Sequence, residues 1–160
     1  MNLDNLRAVL DEMARDLAQG YKDELIRNGH YTTVGAEAGK LLRTIRTQVQ
    51  VGDRAYEITM TLQDYWKYLE EGTRPHWPPP GPLARWIEMK PVVPRPDARG
   101  RIPTVKSLEY LIRRKISRVG TEGTHDLQKT KDGIIPWYRS RLEQALGRDI
   151  ENYILKALQP

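Results

Sequence analysis

The chain has 160 residues, the length of one domain with a single core, and a formal net charge of +5. It holds no cysteine, which excludes disulfides and thiolate metal sites. Its start, Met1-Asn2-Leu3-Asp4, has neither the basic nor the apolar region of a signal peptide, and no apolar run approaches the roughly 20 residues that span a bilayer. Phe is absent, so every aromatic is Trp or Tyr, side chains that suit surfaces which become interfaces. The charge is uneven. Residues 1–40 carry seven acids against five Lys/Arg, whereas residues 101–131 carry eight Lys/Arg against three acids.

Asn2 to Asn28 reads as a long amphipathic helix. Leu3, Leu6, Leu10, Met13, Leu17, Tyr21 and Leu25 recur at steps of three and four. Asp4 or Asn2 is positioned to cap its start, and Asn28-Gly29 is a stop signal. After a polar loop, His30 to Gly39, the stretch Leu41 to Leu62 reads as a β-hairpin turning at Gly52-Asp53. Leu41, Ile45, Val49 and Val51 share one side of its first strand; Tyr56, Ile58, Met60 and Leu62 alternate with polar residues in its second.

Asp64 to Glu71 is a short aromatic helix ended by Gly72, which is expected at positive φ. The run Thr73 to Pro80 is too rich in proline for helix or central strand. A helix is expected to start at Gly81-Pro82 and stop at Pro91. Another, capped by Thr104 and carrying Leu108, Leu111, Ile112 and Ile116, ends near Gly120. Thr121 to Gly133 reads as a polar, flexible loop, and Pro136 to Leu158 as the last helix, with Tyr138, Leu142, Ala145, Leu146, Ile150, Tyr153, Ile154 and Leu158 on its apolar face. The expected fold is α+β. Long N-terminal and C-terminal helices pack on a small antiparallel β-sheet in one domain, 1–160, with a basic helical and loop insertion at 91–133 whose loops are mobile.

No catalytic constellation is legible. His30, His76 and His125 lie in three separate loops without helical ligand spacing, and no phosphate loop, nucleophile elbow or H-E-x-x-H occurs. No cofactor or metal is therefore expected, and the protein is read as a non-enzyme. Its best nucleic-acid signal is the helix after Thr104, where Lys106, Arg113, Arg114 and Arg118 could follow phosphates or meet an acidic partner. Glu109 stands at ion-pair spacing from Lys106 and Arg113, which weakens that signal.

The segment from Asp64 to Pro75 carries a resemblance. Tyr65, Tyr68, Glu70, Gly72, Thr73 and Pro75 stand at the positions of an aromatic–x–x–Tyr–x–Glu–x–Gly–Thr motif followed by prolines. That motif, after a long helix and a hairpin and before a C-terminal helix, resembles the neck, tail-completion or head–tail connector proteins of tailed bacteriophages. The resemblance covers about two thirds of the chain. The helices between Trp77 and Gly120 are extra relative to the family's shorter members. It implies a structural virion protein, assembled in the bacterial host cytoplasm into a sixfold or twelvefold ring. The ring would join head to tail around the DNA channel, touching portal, adaptor or tail-tube proteins and no membrane. A ring contact is heterologous, so each subunit needs two different faces. The residues expected to supply them are Tyr65, Trp66, Tyr68, Gly72, Thr73, Pro75 and Trp77, and the loop arginines Arg95, Arg99 and Arg101. The alternatives are a phage-encoded DNA-binding protein using the basic helix and a small hydrolase or nuclease using Asp53, Glu57 and Glu70. The second lacks a convergent set of acids and lysine.

Overall fold

The computed structural model describes residues 3–30, 39–52, 55–89, 94–96 and 98–159. The described chain mixes helix and sheet and is 64% helical. It divides into two compact units, one formed by segments 1–29, 41–64 and 125–160 and the other by 30–40 and 65–124.

The first unit is built on helix α1, Asp4–Arg27, and helix α6, Asp126–Ala157. The stripe read from the sequence is the buried face of α1: Leu6, Leu10, Met13, Leu17, Tyr21 and Leu25 are all buried. The two helices run antiparallel. Asn5 and Leu6 meet Asp149, Glu12 meets Arg141, Asp16 meets Tyr138, and Asn28 meets Asp126. Gly20 keeps them close, since a Cβ there would stand 2.9 Å from Ile134 Cδ1.

The start of α1 is capped from afar. Its N-cap residue is Leu3, with no side-chain cap bond, so Asp4 does not cap the helix, and Asn2 lies outside the described residues. The buried Asp149 supplies the missing acceptors. Its Oδ1 accepts from the Asn5 backbone N–H at 3.1 Å and from Asn5 Nδ2 at 2.6 Å, and its Oδ2 accepts from the Leu6 N–H at 2.8 Å. Burial opposes the charge on Asp149. The bonds from Leu6 and Asn5 outweigh it and hold the carboxyl below its ordinary value.

Between these helices in sequence come a single helical turn, α2 (Lys40–Thr44), and a hairpin of β1 (Arg46–Val51) and β2 (Tyr56–Thr61). The strands are antiparallel, with Arg46 opposite Thr61 and Val51 opposite Tyr56, and the Gly52 N–H donates to the Ala55 carbonyl at the turn. Asp53 lies outside the described residues. The expected strand from Leu41 is therefore corrected: its first residues are helical. Leu41 and Ile45 are both buried, a four-residue spacing that one helical turn satisfies as well as a strand does. Ile58 and Met60 of β2 pack on the cluster of Met13, Leu17 and Tyr138.

The last helix differs from the sequence reading in two ways. It begins at Asp126 rather than Pro136, so much of the expected loop from Thr121 to Gly133 is helix. Asp126 is buried, accepts from Asn28 Nδ2 at 2.6 Å, and offers its carbonyl to Thr130 Oγ1 at 2.8 Å. Pro136 sits inside the helix at an exposed position, where it removes one N–H donor from the helical ladder. The second difference is the buried face. Tyr138 and Ala145 are buried, with Asp149 in the same row. Leu146, Ile150, Tyr153, Ile154 and Leu158, expected in the core, are exposed.

The second unit contains α3 (Trp66–Glu71), β3 (Gly72–Thr73), α4 (Pro82–Met89), α5 (Val105–Val119) and β4 (Thr121–Glu122). Thr104 caps α5 as expected, its hydroxyl accepting from the Ser107 N–H at 3.2 Å. Pro91, the expected stop of α4, lies outside the described residues, and α4 ends at Met89. The core is thin. Ile87, Glu70 and Gly120 are the buried positions among the described residues, and α5 buries none of its own.

Candidate partner-binding surface

Helix α3 stops because Gly72 takes φ +75° and ψ −164°, a region that side chains with a Cβ resist. The chain then forms a two-residue strand, and Thr121–Glu122 pairs with it antiparallel, Gly72 opposite Glu122 and Thr73 opposite Thr121. This second sheet was not expected. The threonine hydroxyls of Thr73 and Thr121 are 2.9 Å apart, and Thr124 closes the end of α3 by donating from its N–H at 2.8 Å and its hydroxyl at 3.1 Å to the Leu69 carbonyl.

The crossing admits only glycine at three places. A Cβ on Gly72 would lie 2.1 Å from the Thr121 carbonyl oxygen, on Gly120 1.9 Å from that of Thr73, and on Gly123 2.1 Å from that of Glu70. The same tripeptide, Glu-Gly-Thr, stands at 71–73 and 122–124, and the two copies lie side by side, although identity of sequence alone does not imply pairing.

The proline exit is held along α5. The His76 N–H donates to the Ile116 carbonyl at 3.4 Å, and Arg113 Nε donates to the Pro78 carbonyl at 2.9 Å. The Arg113 guanidinium lies 4.9 Å from the centroid of the Trp77 ring, and Trp77 meets Tyr110 edge-on at 6.3 Å. The Gly81 N–H donates to Glu109 Oε1 at 3.2 Å. Helix α5 thus satisfies one exit carbonyl, that of Pro78, with the Arg113 side chain, and accepts from two exit N–H groups through the Ile116 carbonyl and the Glu109 carboxylate.

The sequence-derived candidates therefore divide. Gly72 and Thr73 form the strand; Tyr65, at the N-cap of α3, and Tyr68 are exposed, and Trp66 is half-buried. Pro75 and Trp77 are exposed in the exit. Trp77 and Arg113, read as belonging to separate surfaces, are brought together. Arg113 is engaged within the unit, whereas Arg114 and Arg118 flank Lys115 on an exposed face with Leu111 and Val119. Lys106 is exposed in the first turn of α5, away from that face along the helix. Arg95, Arg99 and Arg101 are exposed.

A further feature was missed. Between α4 and α5 lies an open, largely apolar groove of about 760 Å³, lined by Pro79, Leu83, Trp86, Ile112, Ile116 and Val119, with Lys115 on its wall. The spacing of Leu83, Trp86 and Ile87 and of Ile112, Ile116 and Val119 signalled apolar faces, without saying that they would stand apart. Among the described residues no group of three His, Asp or Glu side chains is placed to hold a metal ion, and no helix is long and apolar enough to cross a membrane. His76 Nδ1 is 2.9 Å from the Arg74 carbonyl, and His125 takes φ +54° at the start of α6. The chain matches no protein-family model, no curated protein and no solved structure.

Proposed function

We propose that the protein is a structural subunit of a ring in the neck or at the top of the tail of a tailed bacteriophage, joining head to tail around the DNA channel. The observation that supports this reading best is the locked segment from Tyr65 to Trp77. An aromatic helix, a glycine stop paired to a distant strand, and a proline exit clamped by Arg113 hold Tyr68 and Trp77 outward, 64% and 50% exposed. Rigid aromatics bury large area on binding with little loss of freedom, which suits an assembly contact. The order of long helix, hairpin, Gly-Thr motif, proline exit and final long helix supports the same reading. Function here is assembly, with the ring as partner of portal, adaptor or tail-tube proteins.

The test is composition and imaging of purified particles from a phage carrying this gene. The protein is expected in the virion as a sixfold or twelvefold ring at the neck, and a phage lacking it is expected to yield unjoined heads and tails. Particles free of the protein, or a gene whose loss leaves infectivity intact, would overturn the proposal. A second reading, DNA binding through α5, draws on the exposed group of Arg114, Lys115 and Arg118. It predicts duplex binding by the isolated protein that falls steeply with salt.

A further inference from the structure

Each unit carries an exposed apolar surface with the features of one half of a contact. In the second unit it is the groove between α4 and α5, where Val119 is 66% exposed and α5 buries none of its residues. In the first it is the outer side of α6, where Leu146, Ile150, Ile154 and Leu158 recur every four residues and are 37% to 75% exposed. Isolated exposed apolar residues are ordinary, but a continuous stripe or groove marks an interaction site.

The two surfaces match in kind. Residues four apart on a helix lie on one face about 6 Å apart along the axis, so successive anchors of the α6 stripe reach into a groove as an amphipathic helix does. From Ile112 to Val119 the α5 wall runs about 10 Å, room for two or three such anchors. Gly147 lies beside Leu146 with no neighbouring atom within 4 Å of where its Cβ would stand, so a partner can approach the helix closely there. The charges are complementary around Lys115. Glu143 and Glu151 are exposed beside the stripe, and Lys115 lines the groove with Arg114 and Arg118 behind it, against a single acid in the lining, Glu122.

We propose that the exposed stripe of α6 in one copy docks in the α4–α5 groove of a second copy, as a head-to-tail contact. The two surfaces differ, so each copy offers one of each, which is the heterologous arrangement a closed ring requires. The proposal rests on the ring reading for its choice of partner, but it concerns pairing in solution and is tested there.

The experiment is sedimentation of the full-length protein over a wide concentration range, with two single variants at exposed positions: Ile154→Asp in the stripe and Val119→Asp in the groove. Wild type is expected to associate with rising concentration, and each variant to weaken that association by more than about tenfold, because each puts a charge into an apolar contact. An equimolar mixture of the two is expected to recover association as one-to-one dimers and nothing larger, since only one intact stripe and one intact groove remain between them. Reversal of charge by Lys115→Glu, rescued by Glu143→Lys or Glu151→Lys on the other chain, reads the same contact without touching the apolar residues. Circular dichroism confirms that the variants are folded. Wild type that stays monomeric, a Val119→Asp variant that self-associates normally through stripe-to-stripe pairing, or a mixture that stays monomeric would each overturn the proposal. A groove filled by the same chain's own helix would appear as a monomer and counts against it as well. Absence of the protein from particles, with this pairing intact, would remove the virion reading alone; presence in particles with both variants associating normally would remove this interface alone.

Discussion

Three side chains of α6, spaced along its inner face, tie it to α1 by polar bonds rather than by apolar packing alone. Asp149 caps α1, Tyr138 donates to Asp16 Oδ2 at 2.6 Å, and Arg141 forms a two-pronged pair with Glu12 at 2.9 and 2.6 Å. Arg141 also covers the rings of Trp137 and Tyr138, 4.7 and 5.0 Å from their centroids. The side-chain bond from Arg141 holds the Glu12 carboxyl below its ordinary range. Both partners are part-exposed, so the pair orients the helices more than it stabilises them. Asp149 is different because it is buried. Asp149→Asn keeps the size but not the charge or all the acceptors, and is expected to cost about 1–3 kcal/mol at neutral pH in chemical denaturation. A carboxyl held below its ordinary 3.8 contributes stability that is present above that value and is lost as the pH falls through the lower folded value. The gap between wild type and variant should therefore narrow below about pH 4; a gap constant down to pH 2 would show that the charge is immaterial.

Tyr138 works in the opposite direction. Burial, followed by the hydrogen bond to Asp16, pushes its hydroxyl up from 10.0 to about 12. The neutral form is the one the fold keeps, so its contribution is complete below pH 10 and declines as the pH rises towards 12. Tyr138→Phe removes the donor and leaves Asp16 without that bond. The expected cost is about 1–3 kcal/mol, independent of pH between 6 and 9, with the wild-type advantage fading in alkali. A variant as stable as wild type would mean that water replaces the hydroxyl without loss.

At the scale of the element, the second sheet is only two residues long per strand, and its strength lies in what it excludes. Gly29 and Gly72 both have positive φ, at +66° and +75°, but Gly29 has open space around the position of a Cβ, whereas Gly72 faces backbone atoms of Thr121, Glu122 and Gly123. Backbone cannot move aside as a side-chain tip can. Gly29→Ala is expected to cost about 1–2 kcal/mol from conformation alone, and Gly72→Val about 3 kcal/mol or more with loss of the strand pair. Thermal melts of the two variants decide this, and equal shifts would mean that the crossing opens freely. The motif at Gly72 was legible because a glycine between a helix and a proline run has few other uses. Its partner at Thr121–Glu122 was not, because pairing across 48 residues depends on where α5 returns the chain.

At the scale of the whole molecule, the surface loop with Arg95, Arg99 and Arg101 and the exposed α5 face hold much of the positive charge of the second unit. Replacing Arg95 to Arg101 by a Gly/Ser linker is expected to leave thermal stability nearly unchanged, because none of the three arginines is buried. Under the proposed ring function, complementation with the altered gene is expected not to give DNA-filled, tailed particles. Infectious particles at normal yield would make the loop a spacer, and an insoluble product would make it part of the core.

The apolar period of α1, the hairpin alternation, the glycine stop at Gly72 and the Thr104 cap are local, and each was readable from neighbours in the sequence. The mixed helix and sheet class followed from them. Tertiary structure decided the rest. Pro136 reads as a first helical residue because proline suits that position, yet the buried Asp126 and its bond to Asn28 extend the helix ten residues earlier. The sequence of α6 contains two interleaved stripes, one through Tyr138, Ala145 and Asp149 and one through Leu146, Ile150 and Ile154. Hydrophobicity favours the second as the core. The polar bonds to Asn5, Leu6 and Asp16 select the first, because groups that must pair on burial fix the rotation of a helix where apolar contacts alone tolerate several, and the more apolar face is left to the outside.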